Sequence, residues 1–195
     1  MRQAQIERNT TETNIFVKAN LDGTGIYDIK TSCGFFDHML EQLSRHSLID
    51  LTVKATGDLH IDAHHLVEDT GIVIGKVLTQ ALGEKKGLNR YGSACIPMDE
   101  TLTRCVIDLS GRTAFVWNVS FPTEKVGEAD TEVFKEFFAA VADNLKAAIH
   151  MENLYGDNSH HIAESCFKAF ACALRHAVET DPRAVNTMPS TKGTL

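Results

Sequence analysis

No apolar run in this sequence approaches the roughly 20 residues of a membrane span, and its opening stretch MRQAQIERNTTETN carries no apolar signal core. Those absences predict a soluble, cytoplasmic protein with no membrane partner. Positive charge is also in short supply: 19 Lys and Arg stand against 26 Asp and Glu, for a formal charge of −7. That excludes a surface devoted to nucleic acid, but not a small anionic ligand, which needs only a few placed cations. Cysteine is scattered and odd in number (Cys33, Cys95, Cys105, Cys166, Cys172), with no C-x-x-C pair. A disulfide framework and a thiolate zinc knot both drop out, leaving small core residues of a reducing compartment. Nothing suggests disorder, and 195 residues with 43% hydrophobic content suffice for one domain with a real core.

What is present in excess is histidine, nine in all, and the chain repeats itself. ETNIFVKANLDG (12–23) aligns without gaps to ETLTRCVIDLSG (100–111), with Gly23 and Gly111 at the same offset. FFDHMLEQLSRHSLIDLTV (35–53) shares its helix-then-strand pattern with VFKEFFAAVADNLKAAIHM (133–151). Each half closes on a helix that opens with His-His-x-x-Glu.

Periodicity and turn chemistry predict strands at 3–8, 14–20 and 27–31, a helix at 36–45, a strand at 49–55 and a helix at 63–82 capped by Gly83. The linker EKKGLNRY (84–91) follows. Strands at 94–98, 101–109 and 113–119, a helix at 131–146, a strand at 149–155 and a helix at 159–179 repeat the plan. The expectation is an α/β fold, α+β in two layers, made of duplicated βββαβα halves (1–86 and 87–195) with pseudo-twofold symmetry. Neither half covers its sheet alone, so the two pack face to face as a single domain over 1–195.

The paired motifs are His64-His65-Leu66-Val67-Glu68 and His160-His161-Ile162-Ala163-Glu164. Residues four apart share a helix face, so His64 points with Glu68 and His160 with Glu164, while His65 and His161 point about 100° away. Adjacent histidines therefore serve two ions or two subunits. Imidazole with carboxylate suits manganese, iron, zinc or nickel. One such motif is more often an exposed helix feature than a ligand set; two at matching places in a duplicated chain favour a metal. His38, one helix upstream of His64, is a further candidate, and Glu136 holds the corresponding place in the second half. His150 reads as a packed strand residue, and His46, His60 and His176 have no partner by spacing.

Arg90 in the linker, Arg112 after Gly111, and Lys192 in the run Pro-Ser-Thr-Lys-Gly-Thr are the cations placed among short polar residues that oxyanion binding uses, although each is equally a solvated surface charge. The last ten residues read as a flexible tail of the kind that can reach another subunit.

Glu12-Thr13, LDGTG (21–25), GFFDHML (34–40), DAHHLVED (62–69), DLSGR (108–112), GDNSHHIAES (156–165) and STKG (190–193) together give a specific likeness. Over essentially its whole length the sequence resembles the imidazoleglycerol-phosphate dehydratases of histidine biosynthesis. The resemblance implies a duplicated α/β unit, a homo-oligomeric shell of about 24 subunits and active sites with two Mn2+ ions where subunits meet. It implies the ligands His38, His64, His65, Glu68, His160, His161 and Glu164, with Glu136 where some relatives have histidine. It also implies a phosphorylated imidazole substrate contacted by Glu12, Gln42, Arg90, Arg112, Ser190 and Lys192. Dehydration would run through a metal-stabilised imidazolate and a diazafulvene-like species, with Glu12 as the base and its duplicate Glu100 as the comparison. Two rivals remain from the residues alone: a two-metal phosphate-ester hydrolase, and an oligomer in which ions only join subunits.

Overall fold

The computed structural model describes residues 2–195. The first half runs β1 (Gln3–Asn9), β2 (Thr13–Asn20), β3 (Tyr27–Lys30), α1 (Gly34–Ser47), β4 (Asp50–Gly57) and α2 (His64–Leu82). The second half runs β5 (Tyr91–Met98), β6 (Thr101–Asp108), β7 (Ala114–Asn118), the short pair β8 (Lys125–Val126) and β9 (Ala129–Asp130), α3 (Val133–Leu145), β10 (Ala148–Tyr155) and α4 (Ser159–Val178). The duplication is one of topology: the sheets are ordered β1-β2-β4-β3 and β5-β6-β10-β7. In each, the first two strands form a hairpin, and the strand before the helix lies parallel to the one after it, as a helical crossover permits.

Strict alternation explains why each sheet has one covered face. β2 turns Thr13, Ile15, Val17 and Ala19 inward, and β6 does the same with Thr101, Thr103, Cys105 and Ile107. α1 and α2 cover the first sheet, α3 and α4 the second, and the halves meet helix against helix, α2 on α3 and α1 on α4. Each half is thus a two-layer unit, and the helical layers form the centre. Glycine decides how closely α2 and α3 approach: a methyl on Gly71 would stand 2.7 Å from the Phe137 carbonyl oxygen, and one on Gly75 2.7 Å from Asn144 Cβ. Contacts advance together along both helices, with Thr79 donating to the Asn144 carbonyl at 2.9 Å, so α2 and α3 run parallel. Between α3 and α4 the core is aromatic, Phe137, Phe138, Phe167 and Phe170 packing ring on ring.

The LDGTG stretch has a structural explanation. It wraps the Asp50 carboxylate, which accepts from the amides of Thr24 at 2.8 Å and Ile26 at 2.9 Å and from the Asn20 side chain at 3.3 Å. A side chain at Gly23 would meet Asp50 Cγ at 2.4 Å. Burial pushes the Asp50 carboxyl up, but these donors outweigh it and hold it below its ordinary 3.8. A depressed carboxyl contributes stability above that ordinary value and loses it as pH falls through the native one. Asp50→Ala is therefore expected to cost about 1–3 kcal/mol at neutral pH. Urea unfolding at descending pH should show the gap to the unchanged protein closing below about pH 4.

Three features differ from the sequence expectation. β5 begins at Tyr91, inside the expected linker. The β8–β9 pair has no counterpart in the expected elements, because two-residue strands fall below any periodic signal. The last ten residues do not hang free: Gly87 N donates to the Thr187 carbonyl at 2.9 Å and Arg90 Nη1 to the Pro189 carbonyl at 2.7 Å.

Candidate metal centre

Both histidine pairs stand at helix starts. α4 is capped by the Asn158 side chain, which accepts from the amides of His160 and His161, and the Asp62 carboxylate accepts from the His64 amide at the start of α2. Capping fixes the first turn, and the first turn aims the imidazoles. His160 Nε2 stands 3.2 Å from Glu164 Oε2, and His64 Nε2 3.7 Å from Glu68 Oε2, as four-residue spacing requires. The second histidine of each pair turns away. His65 Nδ1 donates to Asp58 Oδ2 at 2.9 Å, and His161 Nδ1 to Glu100 Oε2 at 2.8 Å.

His38 joins the second motif, not the first. Its Nε2 lies 3.2 Å from Glu164 Oε2, because α1 packs on α4. Donor atoms of His38, His160 and Glu164 all lie within 4.8 Å of one another, the only such group of three among the described residues. Two imidazole nitrogens and a carboxylate oxygen facing one point are the donors a divalent transition ion takes, so the residues fit a metal. Phe35 packs edge-on against His160 with ring centroids 5.0 Å apart and holds its plane. The first-half set is looser. Glu136 stands half-buried on the first turn of α3, at the position in the sequence repeat that His38 holds in the first half, but its donors do not converge with those of His64 and Glu68 to within 4.8 Å.

Charge around the centre is organised by partners outside the motifs. Burial would push the Glu164 carboxyl up, but a hydrogen bond from Lys168 Nζ to Oε1 at 2.6 Å, that cation's charge and His38 prevail, so the carboxyl sits below its usual value. His161 is held more basic than an ordinary histidine by Glu100, and His65 by Asp58. Glu100 in turn is lowered to about 2, chiefly by His161, with Thr101 Oγ1 also donating to it. Burial lowers His46, helped by the charge of Lys168. Lys168 is absent from the residues singled out by spacing, although its place four residues after Glu164 is a usable signal. Nothing local could reveal Asp58, which reaches His65 only through the loop path.

Glu12 lies in the β1–β2 turn, where Thr10 Oγ1 accepts from the amides of Glu12 and Thr13. Its Oε2 stands 3.8 Å from His65 Nδ1, and the side chain is half exposed. Below it, Arg8 and Thr13 both donate to buried Asp69, the residue after Glu68, which ties the turn to α2.

The anion candidates gather elsewhere. Arg90 is bidentate to Asp108 at 2.7 and 3.1 Å, which raises its already high pKa, and it also binds the Pro189 carbonyl. It is therefore a tie for the tail rather than a solvated charge. Next to Pro189, Ser190 Oγ accepts from the Lys192 amide at 3.2 Å. A methyl on Gly111, beside Arg112, would lie 2.6 Å from the Leu195 carbonyl carbon. The segments that carry Arg90, Arg112, Ser190 and Lys192 thus meet near the C-terminal end of α4, where the Arg90 amide donates to the Ala177 carbonyl at 3.0 Å. Gln42 stands apart on α1, its Oε1 3.2 Å from His46 Nε2.

Comparison with known proteins places these features in a family. A model described as imidazoleglycerol-phosphate dehydratase matches residues 31–174. Proteins of that name from Ruegeria pomeroyi and Paracoccus denitrificans are each 58% identical to this chain over 195 residues, covering 100% of both sequences. The crystal structure of imidazoleglycerol-phosphate dehydratase from Staphylococcus aureus is similar with a TM-score of 0.84 at 40% identity, over 92% of this chain and 99% of that one. The Pyrococcus furiosus enzyme structure gives 0.83 at 34% identity, over 97% and 100%.

Proposed function

This chain belongs to the imidazoleglycerol-phosphate dehydratase family, and from that premise we propose how its residues carry out the dehydration. The family activity is that of a hydro-lyase in histidine biosynthesis. The observation that carries the reading is the convergence of His38, His160 and Glu164 within 4.8 Å. We assign those three to metal binding as one cluster and His64, Glu68 and Glu136 to a second, with His65 and His161, which turn away from them, ligating a different ion or one shared with a neighbouring subunit. Two Mn2+ ions so held would supply Lewis acidity that stabilises negative charge on the imidazole ring of the substrate.

Loss of water breaks the C–OH bond beside the ring and a C–H bond on the next carbon, giving an enol that tautomerises to the ketone of imidazole acetol phosphate. That C–H is not next to a carbonyl, so the base must be placed with care. Glu12 meets that requirement. It is fixed through its backbone in a tight turn, leaves its carboxylate half exposed, and stands beside His65 with no donor to its side chain at close range among the described residues. Arg112, Ser190 and Lys192 are assigned to the phosphate, with Arg90 holding their segment in place, and Gln42, held by His46 on α1, to a further substrate contact.

The length of α4 favours an active site shared between subunits. From His161 to Ala177 is about 16 helical residues, or roughly 24 Å. β6 gives the same span independently, with Glu100 beside its first residue and Asp108 at its far end, about 25 Å away. From ring to phosphorus the substrate spans roughly 8 Å. One chain's metal cluster and the same chain's phosphate residues are too far apart for it, so the phosphate end comes from a neighbouring copy in a homo-oligomer. Exposed Val106 and Val116, on the uncovered face of the second sheet, are surface such packing can bury.

The test is turnover of imidazole glycerol phosphate by the purified protein with Mn2+. Expected are loss of activity on chelation, recovery on adding Mn2+, and no release of inorganic phosphate. Phosphate release, or activity that survives complete removal of metal, sinks the reading.

A further inference from the structure

The two Glu-Thr elements descend from one duplicated segment but have different surroundings. Glu100 is fully engaged: Oε2 accepts from His161 Nδ1 at 2.8 Å, and Oε1 accepts from Thr101 Oγ1 at 2.9 Å and from the Asn158 amide at 3.2 Å. Glu12, its duplicate, stands 3.8 Å from the equivalent nitrogen of His65. The position it would fill is taken by Asp58, a largely buried carboxylate accepting from His65 Nδ1 at 2.9 Å.

The loops explain the exchange. Six residues separate Gly57 from His64, but only three separate Gly156 from His160. In the longer loop the chain has room to fold Asp58 back under α2. In the shorter one Gly156 is pressed against Thr101, where an added methyl would meet Oγ1 at 2.3 Å, and the next carboxylate, Asp157, is exposed.

We propose that the duplicated glutamates have divided one ancestral duty: Glu100 is the positioning residue for His161, while Asp58 has taken over that role for His65 and released Glu12 for proton transfer. The inference rests on the metal reading of these histidines. A carboxylate that accepts from Nδ1–H fixes the tautomer with its lone pair on Nε2, orients the ring, and makes the nitrogen a better donor. Both halves need that service, and only one glutamate can be spared from it. The asymmetry of the catalytic residue follows from a three-residue difference in loop length.

The measurement is Mn2+ affinity of the full chain, read from the paramagnetic resonance signal of free Mn2+, alongside melting of the metal-free protein. Glu100→Ala should weaken Mn2+ binding by about 10- to 100-fold, and Glu100→Gln, whose amide oxygen accepts the same N–H, should recover to within about threefold of the unchanged chain. Asp58→Ala should stay within about threefold, because Glu12 closes on the vacated nitrogen, but should lose turnover for the same reason. Adding Glu12→Ala to Asp58→Ala should bring the 10- to 100-fold loss of affinity. The proposal fails if Glu100→Ala binds Mn2+ as the unchanged chain does, if Glu100→Gln is as weak as Glu100→Ala, or if Asp58→Ala is already as weak as the double variant. An unchanged chain that binds no Mn2+ overturns the metal reading itself, which distinguishes the two failures.

Discussion

Glu12→Gln should lower turnover of imidazole glycerol phosphate by about 100- to 10,000-fold, the range a positioned general base contributes, while Mn2+ content and assembly stay unchanged. The glutamine keeps the shape and the backbone bonds of the Thr10 turn, and it removes only the capacity to take a proton. His65 keeps its partner, since Asp58 and not Glu12 holds its Nδ1–H. Glu100→Gln is the comparison. Glu100 is already committed to three donors, and proton transfer is not among its duties, so its loss of turnover should be about tenfold or less at saturating Mn2+. Side-by-side kinetics decide between the halves. A Glu100→Gln enzyme more damaged than Glu12→Gln moves the base to the second half, and an active Glu12→Gln enzyme removes Glu12 from the role.

Why spacing pairs His160 with Glu164 but misses Asp58 is a matter of what local patterns encode. A helix fixes geometry between residues four apart, so His160 with Glu164 and His64 with Glu68 can be paired before any fold is known. Lys168, four residues after Glu164, obeys the same rule. Strand alternation and the gapless repeat likewise make the two-sheet plan legible, because burial on one face imposes a period of two. What spacing cannot carry are contacts between elements far apart in sequence. His38 reads as a companion of His64, its sequence neighbour, yet α1 packs on α4 and delivers it to Glu164. Asp58 depends on the path of a loop, and Arg90 on the return of a C-terminal segment whose composition reads as a free tail. Tertiary packing, not propensity, decides all three.

Co-assembling two inactive chains should restore activity. One chain carries Glu12→Gln, which removes the base beside the metal end; the other carries Arg112→Ala with Lys192→Ala, which removes two cations from the phosphate end. Each homogeneous assembly should retain about 1% of activity or less, since charged contacts of about 1.5–3 kcal/mol apiece are lost in the second chain and the base in the first. If a site draws its metal end from one chain and its phosphate end from another, random mixing at equal amounts makes about one site in four intact, and activity should rise to about a quarter of that of the unchanged enzyme. The roughly 24 Å along α4 makes this the expected outcome, because no substrate of about 8 Å can bridge His161 and the Arg90 cluster of its own chain. Mixed assemblies no more active than the average of their parents would mean that both ends act within one chain. Such a result would require α4 or the C-terminal segment to rearrange on binding, since Arg90 fastens that segment to the far end of the helix.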